Sequence, residues 1–310
     1  MKSQAVPAQQ PDTFVHCRIT GRPYAFDGGD VRFIARSDQI APGGDGAGCI
    51  GTLRGREPIP VFALGALLHP SEPASDGTHV VITGSGDERA GWQVDRILSA
   101  RREGAPERLP LPVLAGPVAR RWFSSLLDED EGEPSLVCSP AGLDPRNTGR
   151  VTLAAPPPQP PELAPSGAGR GVAALFTSTA LPPCGASRFA IAGNRIVAVV
   201  QALPARVVPG TPPHISAIAI WRSLAIPVLD ASGGGGVSPD TARARYLIAR
   251  HGTSLLAVPI DRDVVLHRAT HDDAPLARAD GTPPGVQLYG VRGEAVALVD
   301  LDSLTAAYST

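Results

Sequence analysis

Between Gly48 and Leu68 the chain reads GCIGTLRGREPIPVFALGALL, and from Ile215 to Asp230 it reads ISAIAIWRSLAIPVLD. Each stretch is an apolar run, a tight corner carrying one arginine, and a second apolar run interrupted by proline. Trp221-Arg222-Ser223 stands where Leu53-Arg54-Gly55 stood, and Ile226-Pro227-Val228 where Ile59-Pro60-Val61 stood. The repeat period is about half the chain, so the pattern points to a duplicated domain rather than a solenoid. Pro58 and Pro60 cannot donate to a sheet ladder, which predicts a sheet edge or barrel rim for the second run. Gly51 and Gly55 supply the permissive backbone a corner needs. Arg54, the long charged side chain at the turn, is expected to point outward beside an apolar rim, a plausible protein contact.

The rest of the chain is cut into short pieces in the same way. Its 310 residues include 34 glycines and 33 prolines against a hydrophobic content of 43%. That is enough apolar material for cores, divided by turn formers into many short strands. Charge excludes some partners. Lys+Arg is 28 and Asp+Glu 30, a formal net charge of -2, with no basic run to hold nucleic acid or an anionic membrane. The four cysteines have no CxxC spacing and read as buried free thiols in a reducing compartment. The N-terminus is polar, without an apolar signal-peptide core, so a soluble, cytoplasmic protein without direct membrane insertion is expected.

Taken in order, residues 1–12 read as a flexible N-terminus. Strands are expected at Phe14–Ile19, Tyr24–Phe26, Thr78–Thr83 and Trp92–Leu98, the last by its apolar–polar alternation. Ser99–Gly116 reads as a solvated connector, and Val118–Leu127 as one or two helical turns. Ala41–Gly48 is a loop; its glycines lack the Lys-Ser/Thr and helix of a phosphate cradle. The acidic run Asp128–Glu131 reads as a solvated hairpin tip. Residues 151–171 hold PPPQPPELAP and SGAGRG, the composition of an interdomain linker. The second half repeats the succession: a hairpin over Ser187–Val200, strands at Arg245–Ala249 and Leu255–Arg262, a closing strand at Ala295–Val299 and a short final helix from Asp302 to Tyr308. Ile260-Asp261-Arg262 echoes Val94-Asp95-Arg96. This is an all-β signature with short helices, over domains at 13–150 and 172–310.

Three stretches, YAFDGGDVRFI (24–34), GCIGTLRGREPIPV (48–61) and WQVDRI (92–97), together resemble the CheW-like adaptor domain of bacterial chemosensory systems. That family's pattern runs Gly-[Ile/Val]-x-Asn-Leu-Arg-Gly, then Pro-Val-x-Asp-Leu, then a Val-Asp-x-[Val/Ile] strand. The resemblance covers nearly the whole chain as two copies. It implies two tandem CheW-like domains, each of two small SH3-like β-barrel subdomains. It also implies a non-catalytic adaptor, without cofactor, that bridges the cytoplasmic tip of a methyl-accepting chemoreceptor and the regulatory domain of a CheA-like histidine kinase. Thr52 and Ala63 depart from the family Asn and Asp, while Asp230 keeps the acidic position in the second, more divergent copy. By the same resemblance Val31, Leu53, Arg54 and Gly55 are expected at the partner-binding surface, and Arg222 as the counterpart of Arg54. A rival reading comes from His267 and His271, whose i, i+4 spacing would place two imidazoles on one helical face, as in a metal-dependent hydrolase. No third ligand follows them, and Ala274-Pro275 breaks the run, which favours a solvated loop.

Overall fold

A computed structural model describes residues 13–44, 48–55, 57–73, 76–84, 86–101, 106–129, 133–147, 171–182, 184–232, 245–261, 264–268, 274–276 and 282–307. The expected N-terminal lead-in, nearly all of the linker, the tip of the acidic run and His271 lie outside these residues. The chain divides into two compact units, Met1–Arg108 with Arg121–Ala154, and Leu109–Arg120 with Ala155–Thr310.

The first half runs β1 (Phe14–Ile19), β2 (Arg22–Asp27), β3 (Val31–Arg36), β4 (Ile40–Pro42), β5 (Cys49–Leu53) and β6 (Ile59–Ala63), then helix α1 (Leu64–Leu68). It continues through β7 (His79–Thr83), β8 (Ala90–Val94), β9 (Arg96–Arg101), β10 (Glu107–Pro110), α2 (Gly116–Trp122), β11 (Phe123–Asp128), β12 (Ser135–Cys138) and α3 (Pro140–Leu143). The second half runs β13 (Val172–Phe176), β14 (Arg188–Ala192), β15 (Ile196–Val200), β16 (Ala205–Arg206), β17 (Ile215–Trp221) and β18 (Leu224–Leu229). There follow β19 (Arg245–His251), β20 (Ser254–Ile260), β21 (Val265–Arg268), β22 (Ala274–Pro275), β23 (Val286–Val291), β24 (Glu294–Val299) and α4 (Leu301–Ala307).

The two halves build the same sheets. The first half forms one sheet in the order β10-β11-β12-β2-β1-β9 and another in the order β3-β7-β8-β6-β5-β4. Adding twelve to every strand number reproduces the two sheets of the second half, β22-β23-β24-β14-β13-β21 and β15-β19-β20-β18-β17-β16. Each half contains the same two parallel pairings, β12 with β2 and β6 with β8, repeated as β24 with β14 and β18 with β20. One backbone bond fixes the end of the central strand in both copies. The Asp95 N–H donates to the Arg18 carbonyl at 2.9 Å, and the Asp261 N–H to the Thr177 carbonyl at 2.8 Å. The echo between Val94-Asp95 and Ile260-Asp261 is therefore a structural equivalence. Both units are all-β with short helices.

Each sheet packs an apolar face. In the first unit Leu53, Ile59, Val61, Val80 and Ile82 share one cluster, and Phe14, Ala25, Leu127 and Val137 another. The second unit gathers Ala219, Trp221, Ile226, Val228, Tyr246 and Ile248 in one cluster, and Leu175, Ala190, Val291 and Val296 in another. No cysteine forms a disulfide; Cys17, Cys138 and Cys184 are buried and Cys49 is half-buried. Among the described residues no helix is long and apolar enough to cross a membrane.

Several local expectations change. Ser187–Val200 is not a hairpin: β14 pairs with β13 and β24, and β15 pairs with β19 in the other sheet. The strand expected over Trp92–Leu98 divides at Asp95 into β8 and β9, which belong to different sheets. The run holding Pro60 is not an edge: β6 lies between β8 and β5. Pro60 pairs with Thr52, but the parallel pairing to β8 starts one residue later, at Val61. Pro227 likewise pairs with Ile218, and β18 meets β20 only at Val228. Each proline thus precedes the point where its strand acquires a second neighbour, so its missing N–H leaves no gap in the parallel ladder. The segment read as a connector instead continues β9 to Arg101 and supplies β10, because pairing with β1 and β11 overrides its polar composition. Val118–Leu127 is split, helical to Trp122 and extended from Phe123, where β12 provides a ladder.

The β17–β18 hairpin closes through Arg222 and Ser223, which adopt φ of 49° and 58°. A two-residue turn with both φ values positive matches the twist of the flanking strands but favours Asn-Gly over side chains with a Cβ. Ser223→Gly is expected to raise the stability of the second unit by about 0.5–1 kcal/mol, less than the roughly 1–2 kcal/mol left-handed penalty because glycine also loses chain entropy. Urea denaturation of the full chain measures it; a destabilised variant would contradict the expectation.

Candidate protein-contact site

In the first unit the corner lies beside the edge strand β3. Phe33, Gln39, Leu53, Arg54, Gly55 and Ile59, with the Glu57–Arg89 ion pair on the rim, line a concavity of about 350 Å³. Leu53 and Ile59 form a buried floor, each 5% exposed, whereas Phe33 stands 46% exposed and Ile34 beside it 42%. Strand β3 bulges between Val31 and Phe33, where its register against β7 shifts. Gly51 anchors the other side of the corner. Its φ is 154°, and an added Cβ would strike the Ala41 carbonyl oxygen and lie 2.8 Å from Ile40 Cγ2. A side chain there would push β4 off β5.

Arg54 is exposed, and its backbone N–H donates to the Gln39 carbonyl at 3.4 Å. Among the described residues no carboxylate pairs with its guanidinium, whereas Arg89 at the same rim is matched by Glu57. Among the described residues, the site combines an apolar floor, an exposed phenyl ring and an arginine with no carboxylate partner. It offers a contact surface.

The structure brings Leu53, Arg54 and Gly55 together around this concavity. Val31, half-buried, stands at the start of the same edge strand, two residues from Phe33. Phe33, Ile59 and Arg89 were not singled out in the sequence. The alternation in VRFIAR carries a signal for Phe33, but the role of Arg89 depends on an ion pair across 32 residues.

Arg222 belongs elsewhere. The bulge between Cys49 and Gly51 on β5 recurs between Ile215 and Ala217 on β17, which makes Gly51 the counterpart of Ala217 and Leu53 that of Ala219. The bulge at Val31/Phe33 recurs at Ile196/Ala198. A third marker agrees: the Ile220 N–H donates to the Pro204 carbonyl at 2.8 Å, as the Arg54 N–H does to Gln39. Arg54 therefore corresponds to Ile220, which is 5% exposed, and not to Arg222. Five residues separate the paired Leu53 and Ile59, six the paired Ala219 and Ile226. In the second unit the six residues zip into two further pairs and a two-residue turn, whereas the pairing of β5 with β6 ends at Leu53 and Ile59. Arg222 sits at the resulting tip, its guanidinium 4.7 Å from the centre of the Trp221 ring.

Elsewhere in the second unit, a cavity of about 660 Å³ is bordered by Arg195, Arg250, Gln287 and Asp300. Arg195 pairs with Asp302 at 2.9 Å, and His251 Nε2 lies 2.5 Å from Thr305 Oγ1 on α4. Burial, assisted by Arg195, holds the His251 pKa below the ordinary value of 6.5 against the pull of Asp302 and Asp300. Burial and the charge of His251 lower that of His214 as well. A histidine whose folded pKa is depressed binds fewer protons than in the unfolded chain. Stability then rises with pH across the interval up to about 6.5 and is lost as pH falls through it. Denaturation of the full chain at pH 7.5 and 5.5 is expected to show the second unit weakened at the lower pH, by at most about 1.4 kcal/mol for each histidine, since only the interval from about pH 6.5 down to 5.5 contributes. Equal or greater stability at pH 5.5 would contradict it.

His267 does not sit on a helix. It lies on β21, opposite Ala173 of β13, so the helical face required for a metal pair with His271 is not formed there. Among the described residues no three His, Cys, Asp or Glu side chains gather in a metal-holding arrangement.

The fold defines a class: a duplicated β domain with two six-stranded sheets in each copy. The family model of the CheW-like domain matches residues 181–307, within the second half. A solved structure, the scaffolding protein TtCheW from Thermoanaerobacter tengcongensis, is 16% identical, with a TM-score of 0.39, covering 47% of this chain and all of that one. No curated protein sequence matches the chain.

Proposed function

We propose that the chain is a tandem, non-catalytic adaptor of a bacterial chemosensory complex, whose first unit docks a partner on the Arg54 corner. The supporting observation is a pairing of two facts. The second half matches the CheW-like family model, and the first half repeats its sheets strand for strand while keeping the corner open. In this reading the partners are the regulatory domain of a CheA-like histidine kinase and the cytoplasmic tip of a methyl-accepting chemoreceptor. The chain bridges the two, in the cytoplasm. A floor of Leu53 and Ile59 excludes water from the contact, while Phe33 and Arg54 set its affinity and orientation. The test is binding of the purified full chain to each of these two fragments from the same cell. Association with either, at about micromolar strength and tolerant of salt, is expected. Failure to bind both would overturn the adaptor reading.

A further inference from the structure

The second unit shows what fills the place that the first unit leaves open. Gly55 lies two residues beyond Leu53, and Trp221 two residues beyond Ala219, the counterpart of Leu53. Residues two apart on a strand share a face. Trp221 thus shares the face of Ala219 on β17, whereas β5 ends at Leu53 and Gly55, which has no side chain, borders the open concavity. It is 7% exposed and packs in one cluster with Ala198, Ala219, Ile226 and Leu255. By register these four are the counterparts of Phe33, Leu53, Ile59 and Arg89, which line the open concavity. The larger Phe33 and Leu53 narrow that space, yet about 350 Å³ stays free.

We propose that the first-unit concavity takes a single aromatic side chain from a partner protein, flanked there by a carboxylate that meets Arg54, and that Trp221 closes the equivalent place in the second unit from within. Among the described residues there is then one open site of this kind, not two. Two arguments select the occupant. The second unit's own occupant is an indole capped by the Arg222 guanidinium, and Arg54 borders the first-unit space as an exposed arginine able to cover an aromatic ring. Charge complementarity supplies the other: Arg54 has no carboxylate partner among the described residues, so an acidic neighbour on the incoming aromatic completes the pair. The inference rests on the adaptor reading of the same corner and states what that corner receives.

Two substitutions exchange the roles of the units. Trp221→Ala opens the second-unit site. Gly55→Trp closes the first; Gly55 has an unstrained backbone, and a Cβ there meets only the Glu57 carbonyl oxygen at 3.6 Å, an ordinary contact. The probe is N-acetyl-L-tryptophanamide, with N-acetyl-L-leucinamide as control, titrated into the ¹⁵N-labelled full chain. Expected in the native protein are shifts of the amides near Phe33, Arg54 and Ile59, with none near Ala198 or Leu255. Gly55→Trp should weaken the first-unit response by at least about tenfold. Trp221→Ala should add a response in the second unit; should that variant fail to fold, Gly55→Trp carries the test alone. No first-unit response in the native protein, or an undiminished one in Gly55→Trp, overturns the proposal. The kinase and receptor fragments separate the two readings. If they bind equally well to native protein and Gly55→Trp, the adaptor stands and the aromatic site falls. If the probe behaves as expected but neither fragment binds, the site stands and the adaptor falls.

Discussion

Trp92→Ala is expected to remove about 3–5 kcal/mol from the stability of the first unit. Trp92 is wholly buried, its ring stacked on Phe62 with centroids 5.5 Å apart. Its Nε1–H donates to Thr83 Oγ1 at 2.8 Å, and Thr83 is itself 1% exposed. Truncation leaves a cavity beside the Phe62 ring and strips a buried hydroxyl of its donor, two costs that add. The Phe62 ring would also lose its stacking partner, leaving the Arg146 guanidinium, 5.8 Å from its centre, on a less fixed surface. Urea denaturation of the full chain, followed by amide signals from each unit, should show the first unit's midpoint falling and the second's unchanged. Trp92→Phe should recover part of the loss, since it restores the ring but not the hydrogen bond. A midpoint within experimental error of the native one would contradict the packing described for this sheet.

The second large effect is on binding. Arg54→Glu should lower affinity for the kinase or receptor fragment by at least about tenfold, while changing stability by no more than about 0.5 kcal/mol. The side chain is exposed and paired with no carboxylate among the described residues, so little in the fold depends on its charge. Reversal also places a carboxylate near Glu57, repelling the acidic group expected on the partner. Arg222→Glu supplies the contrast. Its guanidinium caps Trp221 at a hairpin tip, so affinity should stay within about twofold while the second unit loses part of a cation–π contact, roughly 0.5–1 kcal/mol. Calorimetric titration of both variants measures these effects. Equal losses would show that the tip contributes to the same contact, and a loss from Arg222→Glu alone would move the site to the second unit.

The two arginines show where reading the sequence stops. Similarity of letters aligned Trp221-Arg222-Ser223 with Leu53-Arg54-Gly55, since both are an apolar residue, an arginine and a small residue at a corner. The ladders align differently, through matching bulges and the bond from Ile220 to Pro204. In the second unit the hairpin zips onward by two pairs, and that carries a tryptophan into the core. Local sequence is nearly silent on this, because pairing is settled by bonds between strands and by the side of the sheet each residue can bury.

What the sequence determined by itself is the set of short strands, their duplication and the outward corner at Arg54. Each follows from local causes: alternation of apolar residues, turn formers between them, and a charged side chain that stays in water. Val94-Asp95 and Ile260-Asp261 were matched correctly because a strand end and its backbone bond recur intact in both copies. Tertiary structure alone decided that Phe33 faces Arg54, that Pro60 lies in an interior strand, and that one unit keeps open the place the other fills with Trp221. These depend on register and contacts between distant strands, where a shift of one residue turns a buried side chain outward.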